Sequence, residues 1–367
     1  MMEYKVYKWS DVLTIINGRN QNAVECEDGE YPIYGSGGVM GKANDYLCPP
    51  NCTIIGRKGN INKPIYVETK FWNVDTAFGL SANEEILNPR YLYYFCVDYN
   101  FERHNKAVTI PSLTKADLLK IEMCLPPLDK QKSIVGELDK INELFRLKKE
   151  QLRDYDNLAQ SIFYEMFGDP VENQKGWEER TMQDLCVNIV DCPHSTPKKV
   201  DYITDYPCIR TSELRGGSIS WATMQYLDED EYNIRIARLK PEAGDIVFGR
   251  EGTIGDAVIL PLGYNFSLGQ RTMLLRADTS IVSNVFLHRT ILSDWIKHQI
   301  EYVNVSSTVA HVNIKDFKKF TVPLPPLPLQ QLFAQRIELI EKQKAEVQRT
   351  IKDLETLLAS RMQYWFD

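Results

Sequence analysis

The sequence predicts an α+β chain: two mixed α/β domains separated by two long antiparallel coiled-coil helices, with an internal pseudo-two-fold repeat. Three observations predict it. The 367-residue chain repeats itself at an offset of 199, with LPPL at 125–128 and again at 324–327. Blocks with short Val, Ile and Tyr runs alternate with long helical blocks. Both helical blocks carry an apolar seam in steps of four and three. Aligned without gaps, residues 109–168 share 13 identities with 308–367. Among them are Thr109 with Thr308, Asp117 with Asp316, Gln131 with Gln330, Ile141 with Ile340, Leu158 with Leu357 and Phe167 with Phe366. A repeat of this length governs how the fold is read. A chain made of two copies of one unit is suited to touching two similar things at a set distance.

The elements follow in order. Residues 1–108 mix short Val, Ile and Tyr runs with Gly, Asn and Pro, which predicts strands and loops with a little helix. Residues 109–168 form a helical region: an apolar strand at 121–125, a Pro pair, then a helix over 129–167. Proline disfavours helix in the residue before it, so each Pro pair marks a boundary between extended chain and helix. Residues 169–307 return to the mixed pattern. Residues 308–367 repeat the helical region, with a strand at 320–324 and a helix over 328–366.

The first seam runs Ile134, Leu138, Ile141, Phe145, Lys148, Leu152, Tyr155, Ala159, Ile162, Met166. The second runs Phe333, Ile337, Ile340, Lys344, Val347, Ile351, Leu354, Leu358, Arg361, Trp365. The two series coincide at the 199 offset and form a heptad a/d pattern sustained over more than four heptads. The apolar members are the expected helix-pair interface. Lys148, Lys344 and Arg361 either fix the register or carry their charges out along apolar stems. A helix of this length spans roughly 58 Å and needs a partner for its seam, the nearest being the other copy.

The mixed domains also resemble each other. CTIIGRKGNINKPIYV at 52–67 parallels DIVFGREGTIGDAVIL at 245–260, each with Gly-Arg-charged-Gly after an apolar strand. YPIYGSGG at 31–38 parallels YPCIRTSE at 206–213, and Thr76 is paired with Thr272.

Composition narrows the classes. No run of ~18 apolar residues exists, so no membrane span is expected, and the amino terminus has no apolar signal region. Eight cysteines without a CxxC pair suit reduced thiols in the cytoplasm, and no metal site is expected. His288 and His298 flank an apolar stretch and read as structural. Net charge is −7, and residues 169–307 alone carry 14 basic against 20 acidic side chains. Contact with nucleic acid must therefore come from local clusters or be shared with a partner.

Taken in this order and duplicated, these motifs resemble the specificity subunit of type I restriction-modification systems. The resemblance covers essentially the whole chain. It rests on the alternating blocks, the LPPL-x-x-Q segments at 125–131 and 324–330, the join FGDPVENQKGWEERTMQDL at 167–185 and the turn GDIVFGREGTIG at 244–255. The first domain departs from that turn, with Cys52-Thr53 and Asn62-Lys63 in place of Asp245-Ile246 and Gly255-Asp256. The resemblance implies that residues 1–108 and 169–307 are target-recognition domains and that the helical regions are spacers. It implies a non-catalytic subunit with no cofactor of its own. Its partners would be double-stranded DNA, two methyltransferase subunits that use S-adenosylmethionine, and in some complexes a restriction translocase.

Side chains that read bases or phosphates are Arg, Lys, Asn, Gln, Ser and Thr on exposed loops. In the first domain the candidates are the loop at 35–42, with Lys42, and Arg57, Lys58, Asn60 and Lys63. In the second they are His194, Ser195, Thr196, Lys198 and Lys199, then Arg210, Ser212 and Arg215, with Arg250 and Arg271. The other reading is that these are solvated loops, with Arg57 and Arg250 bracing a turn. An enzyme is disfavoured. The chain has no Gly-rich phosphate loop and no adenosylmethionine motif, and its LPPL segments lack the polar and aromatic neighbours of an adenine methyltransferase. The remaining alternative is a coiled-coil scaffold that binds only proteins and reads no DNA.

Overall fold

In the computed structural model, which describes residues 4–105, 110–304 and 311–366, each Pro pair separates a short strand from a 40-residue helix. Glu122–Leu125 precedes Leu128–Phe167, and Thr321–Leu324 precedes Leu327–Phe366. The Thr109/Thr308 identity and the expected boundaries beside it lie outside the described residues. A buried glutamine ties each junction. Gln131 donates Nε2–H to Pro126 O at 2.8 Å and Ile86 O at 2.9 Å, and its Oε1 accepts from Asn88 N at 2.8 Å. Gln330 repeats the set with Pro325 O at 2.8 Å, Ile281 O at 3.3 Å and Ser283 N at 2.8 Å. Helical side chains lean toward the amino terminus. The LPPL-x-x-Q spacing therefore lays the amide back over the Pro pair.

The chain forms two compact units, one of Met1–Glu150 with Val347–Asp367 and one of Gln151–Glu346. In the first, an antiparallel sheet runs in the order Leu13–Asn17, Ala77–Ala82, Cys52–Gly56, Ile65–Val67. Beside it Tyr31–Gly35 pairs antiparallel with Gly38–Ala43 and parallel with Trp72–Asn73. Lys5–Lys8 pairs with Glu122–Leu125. Helix Pro89–Asp98 starts at Asn88, whose side chain accepts from Arg90 N and Tyr91 N, satisfying donors that a helix start leaves open.

The second unit repeats each of these pairings and adds two features, the strand Lys199–Val200 at the edge of its smaller sheet and a hairpin of Leu214–Arg215 with Ser218–Ile219. Its sheet runs Cys186–Asp191, Thr272–Ala277, Ile246–Gly249, Ala257–Ile259. Pro207–Ile209 pairs antiparallel with Gln225–Leu227 and parallel with Ser267–Leu268, and Glu178–Thr181 pairs with Thr321–Leu324. One topology, including its parallel pair, thus occurs twice.

Each unit's core takes in parts of both long helices. In the first, Trp9, Phe78, Tyr91 and Phe101 pack with Ile134, Leu138 and Met362. In the second, Phe248, Phe286 and Phe317 pack with Phe163, Phe167, Phe333, Ile337 and Ile340. The helix contacts run antiparallel within each unit. Glu137 accepts from Arg361 and Trp365 in the first, and Phe163 meets Phe333 at 5.7 Å between ring centroids in the second. The polar seam residues Lys344 and Arg361 reach carboxylates on the facing helix. Lys344 Nζ lies 2.7 Å from Asp156 Oδ1, and Arg361 pairs with Glu137. Such pairs contribute little energy but favour one register.

The seam departs from a strict heptad at its far end. Ile134, Leu138, Ile141, Phe333, Ile337, Ile340 and Val347 are buried, and Phe145, Leu152, Tyr155, Ile351, Leu354 and Leu358 are half-buried. At the end of each helix, however, Phe163 and Met362 are buried while Ile162 and Arg361 are only half-buried. A straight helix drifts ~20° per heptad against a 3.5-residue repeat. Over four heptads the buried stripe therefore moves on by about one residue, and by the same step in both copies.

Candidate nucleic-acid interface

The Gly-Arg-charged-Gly turn can be built only with glycine at both ends. A Cβ on Gly56 would stand 2.3 Å from Asn60 O, and one on Gly249 would stand 2.6 Å from Thr253 O. Gly59 and Gly252 have φ of +79° and +75°, in the left-handed region where other residues are strained. The arginine between them is anchored by its backbone. Arg57 N donates to Thr76 O at 2.8 Å and Arg57 O accepts from Leu113 N at 2.9 Å. Arg250 N donates to Arg271 O at 2.9 Å and Arg250 O accepts from Val312 N at 3.0 Å. Thr76 is therefore the counterpart of Arg271. The expected partner, Thr272, lies one residue on, because Gly56 stands opposite Ala77 while Gly249 stands opposite Thr272.

A second loop meets this turn in both units. The Cβ position of Gly59 is 4.0 Å from Ser36 Oγ, and that of Gly37 is 4.0 Å from Asn60 Nδ2. In the second unit the Cβ position of Gly252 is 4.0 Å from Thr211 Oγ1, and Thr253 Oγ1 donates to Thr211 O at 3.1 Å. Ser36 and Thr211 occupy the same place in YPIYGSGG and YPCIRTSE. The structure thus brings together two loops that are separate in sequence, and it does so twice.

In the first unit Lys42, Lys58, Asn60 and Lys63 are exposed. None of the three lysines has an ion pair among the described residues. Lys42 sits on Gly38–Ala43 opposite Pro32. Arg57 is half-buried, with its guanidinium 5.8 Å from the Phe78 ring centroid and Nη1 3.5 Å from Asp75 O.

The second unit treats its cations differently. Arg210 Nε and Nη2 donate to Glu213 at 3.1 and 2.7 Å, and Nη2 also donates to Thr223 O at 2.9 Å. Ser212 Oγ donates to the same carboxylate at 2.8 Å. Arg250 is buried, pairs with Asp191 and donates Nε–H to Val312 O at 2.9 Å, which is the bracing arrangement. Asp191 also has His194 Nε2 at 3.4 Å. Arg271, at φ +65°, is exposed and faces Glu251 at 3.2 Å. Arg215, Thr196, Lys198 and Lys199 are exposed, with Lys199 opposite Leu227. No carboxylate lies within 4.0 Å of Arg215, Lys198 or Lys199 among the described residues.

Sequence reasoning missed the residue that shapes the 193–196 loop. Arg235, fully buried, pairs with Glu231 at 2.9 Å, and its Nη2 donates to Ser195 O at 2.6 Å and Ser195 Oγ at 3.1 Å. Its Nη1 lies 3.4 Å from Pro193 O. Ser195 is exposed, but its carbonyl and its hydroxyl oxygen are both engaged by Arg235. Gln270 adds a bond to His194 O at 2.7 Å. The i,i+4 spacing of Glu231 and Arg235 was a usable signal for the ion pair, though not for the loop it holds. Among the thiols, burial pushes Cys208 up to about 11 and Cys186 up to about 12, so neither is a thiolate near neutral pH. No helix among the described residues is long and apolar enough to cross a membrane.

Comparison with known proteins bears on this arrangement. The family model for the type I restriction modification DNA specificity domain matches residues 1–154 and 174–356. The MjaVIII type I restriction enzyme specificity subunit of Methanocaldococcus jannaschii is 20% identical over 391 residues, covering 97% of this chain and 92% of that one. The EcoBI specificity subunit of Escherichia coli is 21% identical over 331 residues, covering 80% of this chain and 67% of the relative. In fold, the crystal structure of the type I restriction-modification S subunit from M. genitalium matches with a TM-score of 0.64 at 13% identity, over 99% of this chain and 96% of that one.

Proposed function

We propose, because this chain belongs to the type I restriction-modification DNA specificity family, that its two units read the two halves of one split, asymmetric DNA site. The chain is a specificity subunit, the non-catalytic recognition component of a type I complex. One observation carries the bipartite reading. The same pair of loops meets in both units, at Ser36 beside Gly59 and at Thr211 beside Gly252, but the polar side chains around them differ. Two readers of one design with different side chains suit two different half-sites. Lys42, Arg57, Lys58, Asn60 and Lys63 are the proposed contacts of the first unit. Thr196, Lys198, Lys199, Arg215 and Arg271 are those of the second, with His194 and Ser212 at its margin. Arg210, Arg250 and Ser195 hold the loops in shape.

The partners in this reading are double-stranded DNA, two methyltransferase subunits using S-adenosylmethionine and, in the full complex, restriction translocase subunits. Leu158 and Leu357, identical at the repeat offset, are 46% and 45% exposed on their helices. Equivalent apolar positions left open on both copies suit two like subunits. The helices act as the spacer of the split site, and their 40 residues give each a length of roughly 60 Å. Exchanging residues 170–307 for another recognition domain, co-expressing the chain with its methyltransferase and mapping methylated DNA by long-read sequencing tests the function. One half-motif changes and the other stays. If both stay, the protein-only scaffold is the better reading.

A further inference from the structure

The duplicated turn arginine sits in two electrostatic settings, and a residue on the sheet's edge strand, one strand removed from the turn, accounts for the difference. Strand pairing makes the correspondence explicit. Asn17 stands opposite Phe78 and Asp191 opposite Met273, on strands where Gly56–Ala77 matches Gly249–Thr272. Asn17 is therefore the counterpart of Asp191, as Arg57 is of Arg250. In the second unit Asp191 pairs with Arg250, while Nε is taken by Val312 O at 2.9 Å. In the first, the equivalent position is a neutral amide. Arg57 has no carboxylate partner among the described residues, only Asp75 O at 3.5 Å and the Phe78 ring beneath it.

We propose that Arg57 is a base-reading arginine of the first unit, that Arg250 is a scaffold arginine of the second, and that the residue at Asn17 or Asp191 sets which role is taken. The inference rests on the reading of the chain as a DNA specificity subunit. A guanidinium reads guanine through two parallel donors on one edge. At Arg250 those donors already face a carboxylate and a carbonyl, and turning them to DNA would strand Asp191 beside a nearly buried site. At Arg57 the Phe78 ring lies 5.8 Å from the guanidinium, and a single long contact from Nη1 to Asp75 O at 3.5 Å takes the place of the carboxylate. Asn17 matters because it does not hold the charge back. It is a positioning residue and touches no base.

The test uses the chain in complex with its methyltransferase, reading methylated motifs and binding to matched and mismatched DNA. Arg57→Ala relaxes one position of the first half-motif by roughly 10-fold or more, with thermal stability nearly kept. Asn17→Asp, which supplies the missing carboxylate, shifts the same position in the same direction. Arg250→Lys lowers thermal stability and leaves the second half-motif as it was. Discrimination unchanged within 2-fold in both Arg57→Ala and Asn17→Asp overturns the proposal. So does a relaxed second half-motif in Arg250→Lys at unchanged stability. A wild-type complex that methylates no split motif overturns the specificity reading itself, a result distinct from either.

Discussion

Glu213 is wholly buried, and its carboxylate accepts four hydrogen bonds, three of them from Arg210: N at 2.9 Å, Nε at 3.1 Å and Nη2 at 2.7 Å. The pair closes the loop that meets the Gly252 turn. Arg210 is half-buried, and without its side chain Glu213 keeps the bonds from Arg210 N and Ser212 Oγ but loses its charged partner, at a cost of about 1–3 kcal/mol. Arg210→Ala is therefore expected to lower the denaturant midpoint of the second unit. A loss below about 1 kcal/mol would show that Glu213 finds water or another donor.

The glutamines of the two Pro-Pro junctions give a matched pair of tests. Gln131→Ala and Gln330→Ala each leave buried backbone groups without a partner, at about 1–3 kcal/mol per unsatisfied group. Both substitutions should destabilise, and because the two glutamines share no hydrogen-bond partner their effects should add. Equilibrium unfolding of the singles and the double checks this. A strongly non-additive double would mean that the two junctions are coupled.

His288 makes the second unit sensitive to acid. Burial pushes its imidazole down to about 4, and its Nε2 is 2.9 Å from Ala257 O. An unfolded histidine titrates near 6.5. Between these values the unfolded chain holds a proton that the folded unit does not. Stability therefore falls as pH drops from about 6.5 to about 4, by an amount on the order of 3 kcal/mol, and this contribution is level below that window. His288→Gln should flatten the slope there, and an unchanged slope would assign it to other groups.

Lys198 and Lys199 separate affinity from stability. Both are exposed without an ion pair among the described residues, so alanine there should change stability by no more than about 0.5 kcal/mol. If they meet phosphates, each substitution weakens binding to all sequences alike and reduces the salt slope by about one. Unchanged binding at low salt would remove them from the interface.

The spacer role is tested by length. Adding seven residues to each long helix keeps the seam in phase and lengthens each by roughly 10 Å. The methylated motif should then gain spacer bases, or recognition should be lost. An unchanged motif would show that the helices do not measure the site.

Features set by neighbouring residues were legible in the sequence. The Pro pairs located both helices to within a residue or two, since proline acts on its immediate neighbours. The Gly-Arg-charged-Gly turn announced itself because its glycines answer local sterics. The shift from Ile162 to Phe163 was missed by holding to a 3.5-residue period where the buried positions follow one nearer 3.6. The fate of the arginines was not legible either. Arg250 finds its carboxylate 59 residues back at Asp191, and Arg235 finds its loop 40 residues back at Ser195. Only the folded sheets place those partners together.

The first unit draws its closing residues from the far end of the chain: Met362 lies in its core and Phe366 packs on Tyr91. The second unit is one uninterrupted stretch ending at Glu346. On the ribosome, where a polypeptide emerges from its amino terminus, the later-encoded lobe has all of its parts while the earlier-encoded one still waits for its last helical turns. Nascent chains arrested shortly after residue 346 has left the exit tunnel should resist protease in the second lobe before the first.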